Sequence, residues 1–132
     1  MKTKFSKSWI KSRQPRKQRK YRHNAPLHVK QKFLHAHLSK ELRKKYSKRS
    51  FALRKGDSVK VMRGQFRNKT GRVDEVSVKK TQVYVNGIEF VKRDGTKARY
   101  PLQPSNLMIT ELNMDDKLRG KISMRSKNVR PS

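Results

Sequence analysis

Cysteine is absent from the 132 residues of the chain, and acidic residues are scarce, with nine Asp and Glu in total. The lack of cysteine excludes disulfides, thiol catalysis and cysteine-based zinc sites, and it is typical of a protein in a reducing compartment. Apolar residues make up only 32%, a low share for a globular domain. No apolar run approaches the roughly 18 residues that a membrane-spanning helix needs. The basic N-terminus lacks a following apolar stretch, so we expect no signal peptide.

Positive charge dominates what is present. The chain has 37 Lys and Arg residues, a net charge of +28 and an isoelectric point near 11.3. A free protein with this charge repels itself, which predicts a polyanionic partner. Nucleic acid is the first choice, because a membrane surface would require a long amphipathic helix that the pattern does not contain. We therefore predict a nucleic-acid partner and no membrane.

The charge is distributed unevenly and suggests a domain plan. Residues 1–50 hold 18 basic residues and one acid, residues 51–116 hold 13 and eight, and residues 117–132 hold six and none. Acids and valines concentrate in the middle, which is typical of a small folded domain with two basic extensions. The predicted units are a basic extension, two short helices, a β-domain that folds by itself and a basic tail, over residues 1–24, 25–50, 51–114 and 115–132.

The middle of the chain has the period-two alternation of β-strands. Ser58–Arg63 alternates, and the slip between Val73 and Val76 predicts a bulge near Asp74-Glu75. Further strands are expected around two turn dipeptides, Asn86-Gly87 and Asp94-Gly95, and at Leu107–Thr110. Five or six short strands at this spacing predict a mainly β protein with a small antiparallel barrel.

The first fifty residues follow a different pattern. Up to Asn24 the sequence is a basic tract without periodicity, and Asn24 is predicted to cap a helix that includes Pro26. The apolar face of this helix would hold Leu27, Phe33, Leu34 and Leu38. Ser39 is predicted to cap a second helix, with Glu41 in its first turn. The segment from Asp115 is expected to start as a helix.

Residues 56–73 carry the sharpest motif, a strand, a polar loop and a second strand. Gly64 and Asn68 tolerate positive φ, and we expect the same freedom to be used at Gly71. A tight loop of this kind would direct Arg63, Arg67 and Lys69 together toward a phosphate backbone.

This stretch resembles a KOW motif, with Gly56-Asp57, Val59, Val61, Gly64 and Gly71-Arg72-Val73 at the expected positions; Asn68 stands where many members have glycine. The flanking segments 14–20, 24–28, 38–46, 94–96 and 104–109 are similar to one family, the universal KOW-bearing protein of the large ribosomal subunit in its archaeal and eukaryotic form. The similarity runs from about Arg13 to about Lys121. It implies an SH3-like barrel that binds the early 5′ region of large-subunit rRNA, supports subunit assembly, lies near the peptide exit tunnel and contacts neighbouring large-subunit proteins in the cytoplasmic ribosome.

The basic tract also carries Tyr21 and His23 among its arginines, which favours RNA contact over a purely solvated segment. We expect the tract to thread between RNA helices, while RNA shape supplies most of the specificity. The predicted rRNA-binding residues are Arg13, Arg16, Lys17, Arg19, Lys20, Arg22, His23, Asn24, His28, Lys32, Arg43, Lys44, Lys45, Lys48, Arg49, Arg63, Gly64, Arg67, Asn68, Lys69 and Gly71.

No catalytic set can be assembled from the sequence, so we expect a structural protein without enzymatic activity, cofactor, metal or small-molecule substrate. Gly64 with Lys69-Thr70 lacks the second glycine and the helix of a P-loop. His35 and His37, read as helical, would not share a face. Two alternatives stay open: a transcription elongation factor that uses the KOW barrel as an interaction module, and a chromatin-like DNA compactor.

Overall fold

The structure is a computed structural model that describes residues 5–9 and 11–124. Within this range the helices α1 to α4 are, in order, Pro15–Asn24, Leu27–Phe33, Lys40–Tyr46 and Lys117–Met124, with a 3₁₀ turn at Pro104–Asn106. None of them is long and apolar enough to cross a membrane. The strands β1 to β8 are His35–Leu38, Ser50–Ala52, Ser58–Val61, Thr70–Ser77, Gln82–Val85, Glu89–Val91, Lys97–Arg99 and Leu107–Glu111.

Six strands form one sheet in the order β2-β1-β8-β3-β4-β5, and β6 and β7 form a separate hairpin. Neighbours are antiparallel except β1 and β8, which are parallel, with His37 opposite Met108 and Leu38 opposite Ile109. The mainly β architecture is confirmed, but the barrel is not purely antiparallel. The predicted start of the β-domain at residue 51 falls within β2, and β1 of the same sheet precedes it.

The sheet curls around one apolar core. Phe51 of β2 at one edge and Val83 and Val85 of β5 at the other edge belong to the same buried cluster. Leu38 and Ile109, paired across the parallel strands, are fully buried within it. A sheet whose two edges share one core has the form of a small barrel.

Local features of the β-domain follow the alternation that the sequence shows. The bulge is confirmed, since the register of β4 against β5 shifts between Val73 and Glu75. Gly87 and Gly95 both adopt φ +79°, as the two predicted turns require. Asp94 supports the second turn by accepting hydrogen bonds from the Thr96 hydroxyl at 2.6 Å and amide at 3.0 Å. These bonds lower the pKa of its carboxyl.

The N-terminal region differs from the prediction in three places. The basic tract, in which the sequence shows no periodicity and no helix was predicted, is helical in α1, because Arg, Lys and Gln have high helix propensity even without an apolar face. Asn24 ends α1 and does not cap α2, which starts after Pro26 without a side-chain cap. Leu38, expected on that helix, lies in β1. The cap at Ser39 is confirmed, since its side chain accepts from the amide of Leu42.

A buried ion pair attaches the C-terminal helix to the barrel. Asp57 is 0% exposed and Arg119 of α4 is 1% exposed, and the two guanidinium nitrogens donate to the carboxylate at 2.6 and 2.7 Å. Arg119 also donates to the carbonyls of Asn113 and Ala52. The predicted helix after Asp115 is confirmed, and it is held by these bonds despite its high charge.

Gly71 is constrained by a close approach and not by positive φ, which corrects the conformational argument. A Cβ at this position would lie 2.5 Å from the backbone oxygen of Asn86 and 2.8 Å from Cγ1 of Val85. We expect Gly71→Ala to destabilise the protein by about 1–3 kcal/mol through overpacking. The matched control is Gly120→Ala, where an added Cβ would meet nothing described within 4 Å apart from its chain neighbours and its own helix backbone, and helix propensity favours alanine by about 1 kcal/mol. If thermal unfolding shows that Gly120→Ala is less stable than Gly71→Ala, the steric clash predicted at residue 71 is contradicted.

Arg119→Ala should cost about 3–5 kcal/mol of unfolding free energy, because it leaves the Asp57 carboxylate buried and uncompensated. The control is Arg99→Ala, which removes exposed pairs with Asp74 and Glu75 at 3.0 and 3.1 Å and should cost at most about 1 kcal/mol. Denaturant titration of both variants measures the difference. Equal losses of unfolding free energy would show that the buried pair of Asp57 stabilises the protein no more than the exposed pairs of Arg99 do.

Candidate nucleic-acid interface

The loop between β3 and β4, residues 62–69, is a closed, anchored turn, and we call it the KOW loop. The amide of Asn68 donates to the carbonyl of Val61 at 2.8 Å, and the amide of Val61 donates to the carbonyl of Lys69 at 2.9 Å. Gly64 and Asn68 have φ of +94° and +70°, which confirms the two positive-φ positions predicted there. Tight pairing at its base holds the loop in one conformation.

The KOW loop also carries an apolar anchor. Phe66 packs against the core and makes an edge contact with Tyr100, with ring centroids 4.9 Å apart. The Lys69 ammonium lies 5.2 Å from the centroid of the Phe66 ring. Arg63, Arg67 and Lys69 are exposed. The loop can therefore present these three charges from a fixed base.

Strand β1 places two histidines on the outer surface of the sheet. Residues two apart on a strand share a face, so His35 and His37 lie opposite the buried Ala36 and Leu38. The helical interpretation that separated the two histidines is wrong. Across the sheet, His37 lies beside Ser50 on one side and Met108 on the other, and Met108 pairs in turn with Lys60.

Three arginines from three segments lie near His37, since Arg43 donates to the carbonyl of Leu38, Arg49 accepts from the amide of Leu38, and Arg63 follows β3, two strands away in the sheet. The pKa of His37 is lowered by partial burial and then by the charges of Arg43, Arg49 and Arg63. Arg43 comes from α3, Arg49 precedes β2 and Arg63 follows β3. We call these three residues the arginine cluster. It is the point at which the N-terminal segment and the KOW loop, predicted separately from the sequence, meet on one surface.

Part of the arginine cluster is held in place before any ligand arrives. The Nε of Arg43 donates to the carbonyl of Leu38 at 2.8 Å, which leaves its terminal nitrogens available to bind elsewhere. Basic character continues along β1 past the cluster. Burial and the charge of Lys32, at the end of α2, lower the pKa of His35. Cations therefore accompany both histidines of the strand.

Helix α1 presents a second set of predicted contacts. Seven of these side chains, on the helix or just before it, are exposed: Arg13, Arg16, Lys17, Arg19, Lys20, Arg22 and His23. Asn24 is half-buried, and its side-chain oxygen lies 3.1 Å from Nδ1 of His23. The tract presents its charges on a helix surface and not along an extended strand.

Among the other predicted contacts, His28, Lys32, Lys44 and Lys45 are exposed on α2 and α3. Two are poorly placed for RNA. Lys48 donates to the carbonyl of Ile122 and its ammonium lies 5.2 Å from the centroid of the Phe51 ring, so it serves the attachment of α4. Gly71 is packed against the end of β5.

The sequence reasoning missed His37 as the centre of this surface. The alternation His35-Ala36-His37-Leu38 is a period-two signal, but four residues are too few to distinguish a strand from the end of a helix. In residues 5–9 and 11–124, no cluster of three or more His, Asp or Glu side chains could hold a metal ion. The surface offers guanidinium and ammonium donors, which suit phosphate oxygens.

Known proteins are similar to this chain over most of its length. The family model for eukaryotic ribosomal protein L26 and its archaeal counterpart matches residues 12–126. The large ribosomal subunit protein uL24 of Methanothrix thermoacetophila is 53% identical over 114 residues, 86% of this chain and 98% of that protein. Proteins of the same name from Methanocorpusculum labreanum and Methanospirillum hungatei are 52% and 51% identical, over 83% and 82% of this chain and 91% and 90% of theirs.

The lowered pKa of His37 predicts a pH-dependent stability. Below about pH 6.5 the unfolded chain binds a proton at this histidine more readily than the folded chain does, so stability should fall as pH drops below that value. His37→Asn, and to a smaller extent Arg49→Gln, should reduce the loss between about pH 7.5 and 5.5, measured as unfolding free energy. The same loss in wild type and His37→Asn would contradict this account.

Proposed function

From the premise that this chain belongs to the family of eukaryotic ribosomal protein L26 and its archaeal counterpart, we propose that it binds large-subunit rRNA through the arginine cluster and the KOW loop. The chain is a structural, non-enzymatic constituent of the large ribosomal subunit, located in the cytoplasmic ribosome. Its similarity to uL24 proteins of about 52% identity supports its assignment to the archaeal form of the family. The match over residues 12–126 leaves the elongation-factor and DNA-compactor alternatives without support.

The observation that carries the proposal is that Arg43 and Arg49 are both hydrogen-bonded to the backbone of Leu38, next to His37, while the charge of Arg63 from the KOW loop acts on the same histidine. These three guanidinium groups are exposed and together form a positive site. Planar guanidiniums bind phosphate oxygens through paired hydrogen bonds, and each phosphate contact releases condensed counterions. Such a site suits a place where the phosphates of two RNA segments crowd together.

Helix α1 adds a second basic surface, formed by residues that precede the arginine cluster in the sequence. The seven exposed basic side chains of this segment can track a phosphate backbone, and we infer that they bind RNA as a unit with the cluster. The contacts are mostly to phosphates, so they position the protein and carry little sequence information. Specificity then comes from the shape of the folded RNA.

The same arrangement of positive charge supports a more specific role within the ribosome. A protein that joins phosphates from separate RNA segments stabilises their juxtaposition, and on this basis we propose a role in subunit assembly. Binding in the early 5′ region of the rRNA is what the family resemblance implies, and we include it in the proposal. Exposed apolar side chains of the β6–β7 hairpin, Phe90 at 41% and Val91 at 66%, favour contact with neighbouring ribosomal proteins. A location near the exit tunnel is the family expectation that we adopt with these roles.

Charge reversal in the KOW loop tests the proposal. Arg63, Arg67 and Lys69 all changed to Glu should leave the melting temperature within a few degrees of wild type, because the three side chains are exposed. Affinity for large-subunit rRNA should fall at least about 100-fold, and the slope of log affinity against log salt should drop by roughly 2 to 3, because three phosphate contacts are lost.

The matched control changes Lys79, Lys92 and Arg93 to Glu, which alters the net charge equally on exposed turns away from the motif. This variant should retain most of the affinity and nearly the wild-type salt slope. If both triple variants lose affinity alike, net charge and not the loop is responsible, and the assignment of the site is wrong.

A further inference from the structure

A second surface of the chain combines aromatic rings with lysines and lies partly outside the range that the family model matches. Residues 5–9 pack back onto α1, with the ring of Trp9 stacked on that of Tyr21 at a centroid distance of 4.1 Å and an interplanar angle of 20°. Phe5 lies on the same tyrosine at 4.9 Å. The family match begins at residue 12, so Phe5 and Trp9 precede it.

Hydrogen bonds fix the connection between this segment and the helix. The side-chain amide of Gln18 donates to the carbonyl of Ser12 at 2.7 Å, and the amide of Gln14 donates to the hydroxyl of Ser12 at 3.2 Å. Tyr21 is held further by an edge contact with Phe33 of α2, at 6.2 Å. The aromatic cluster is therefore tied to two helices.

An open cleft of about 430 Å³ lies along this cluster. Its lining includes three aromatic residues, Phe5, Trp9 and Tyr21, and three lysines, Lys11, Lys17 and Lys20. No carboxylate from the described part of the chain lines it. The volume is within the range of small-molecule sites, which starts at roughly 300 Å³.

We propose that this cleft, which we call the aromatic cleft, binds an unpaired nucleobase of RNA stacked against Trp9, with the adjoining phosphates on the three lysines. Trp9 is half-buried, and among the described residues only Tyr21 stacks on it. Flat rings beside cations are the arrangement with which proteins bind single-stranded RNA, because every base has a stacking face. An acidic peptide would also satisfy the lysines but would leave the rings without a planar partner.

The inference rests on the proposed RNA-binding function and adds to it a site for single-stranded RNA. It gives α1 a role that phosphate neutralisation alone does not require. Because stacking depends on a base, a polyanion without bases would bind the lysines but not occupy the space beside Trp9. This difference separates base recognition from simple charge attraction.

The experiment uses the full chain and the fluorescence of Trp9, its single tryptophan. Hexa-adenylate RNA should quench and shift the Trp9 emission, while linear inorganic polyphosphate of equal charge should bind without that change. Trp9→Ala should weaken the affinity for hexa-adenylate by roughly 5- to 150-fold, the loss expected for one stacked base. Trp9→Phe should retain affinity within about threefold because it keeps a ring.

The control is Phe90→Ala, which removes another exposed ring, on β6, and should leave hexa-adenylate affinity unchanged. Circular dichroism of Trp9→Ala checks α1, while the wild-type fluorescence requires no variant. The proposal is overturned if polyphosphate and hexa-adenylate change Trp9 emission equally, or if hexa-adenylate binds without changing it or does not bind. If large-subunit rRNA binds normally in those cases, the proposed function stands and only the cleft is wrong; if rRNA also fails to bind, the proposed function is wrong.

Discussion

The buried carboxylate of Asp57 is the point on which several segments of this protein depend. It accepts hydrogen bonds from the amides of Arg54 and Asn113, at 2.8 and 2.9 Å, and from both terminal nitrogens of Arg119. A buried charge is costly unless it is paired and fully hydrogen-bonded, so these partners must be in place together. The start of the motif, the residues after β8 and helix α4 are consequently one structural unit.

This role changes the meaning of the Gly-Asp pair that opens the KOW motif. The aspartate does not face a ligand; it organises the base from which the strand starts, since its carbonyl accepts from the amide of Val73 and the amide of Gly56 donates to the carbonyl of Val73. Gly56 itself adopts φ +90°. The end of the motif that we propose to face RNA is the far one, where the loop carries the arginines. The motif thus has one end that supports the fold and another end that we propose to bind RNA.

Sequence reasoning recovered the features that alternate or turn, and missed those that depend on distant partners. Strand β8, the bulge at Asp74-Glu75 and the cap at Ser39 are local signals, so a single sequence is enough to find them. Strand β1 is four residues long and is stable only because β2 and β8 pair with it on both sides, which no local pattern reveals. The ion pair of Asp57 with Arg119 joins residues far apart in the chain, and sequence spacing carries no trace of it.

The sequence predicted where positive charge lies along the chain, but not which charged residues the fold brings together. The exposed side chains of α1 and the loop were predicted from the local sequence, whereas the arginine cluster exists only because β1 brings His37 near three other segments. Repulsion among these arginines opposes folding of the free chain, and the hydrogen bond from the charged Arg43 side chain to the carbonyl of Leu38 contributes stabilising energy against it. Preorganised donors of this kind lose less conformational freedom when an anion binds.

The position of β8 has a consequence for how this chain is made. Among the strands described, β8 is the last to be synthesised, and it lies between β1 and β3 in the sheet. Arg119 lies ten residues after Ile109 of this strand. Until that strand is available, the first two strands and the next three have no common neighbour, so the six-stranded sheet cannot close in the order of translation. Closure of the barrel therefore waits for residues 107–111, and the buried pair with Asp57 waits for Arg119.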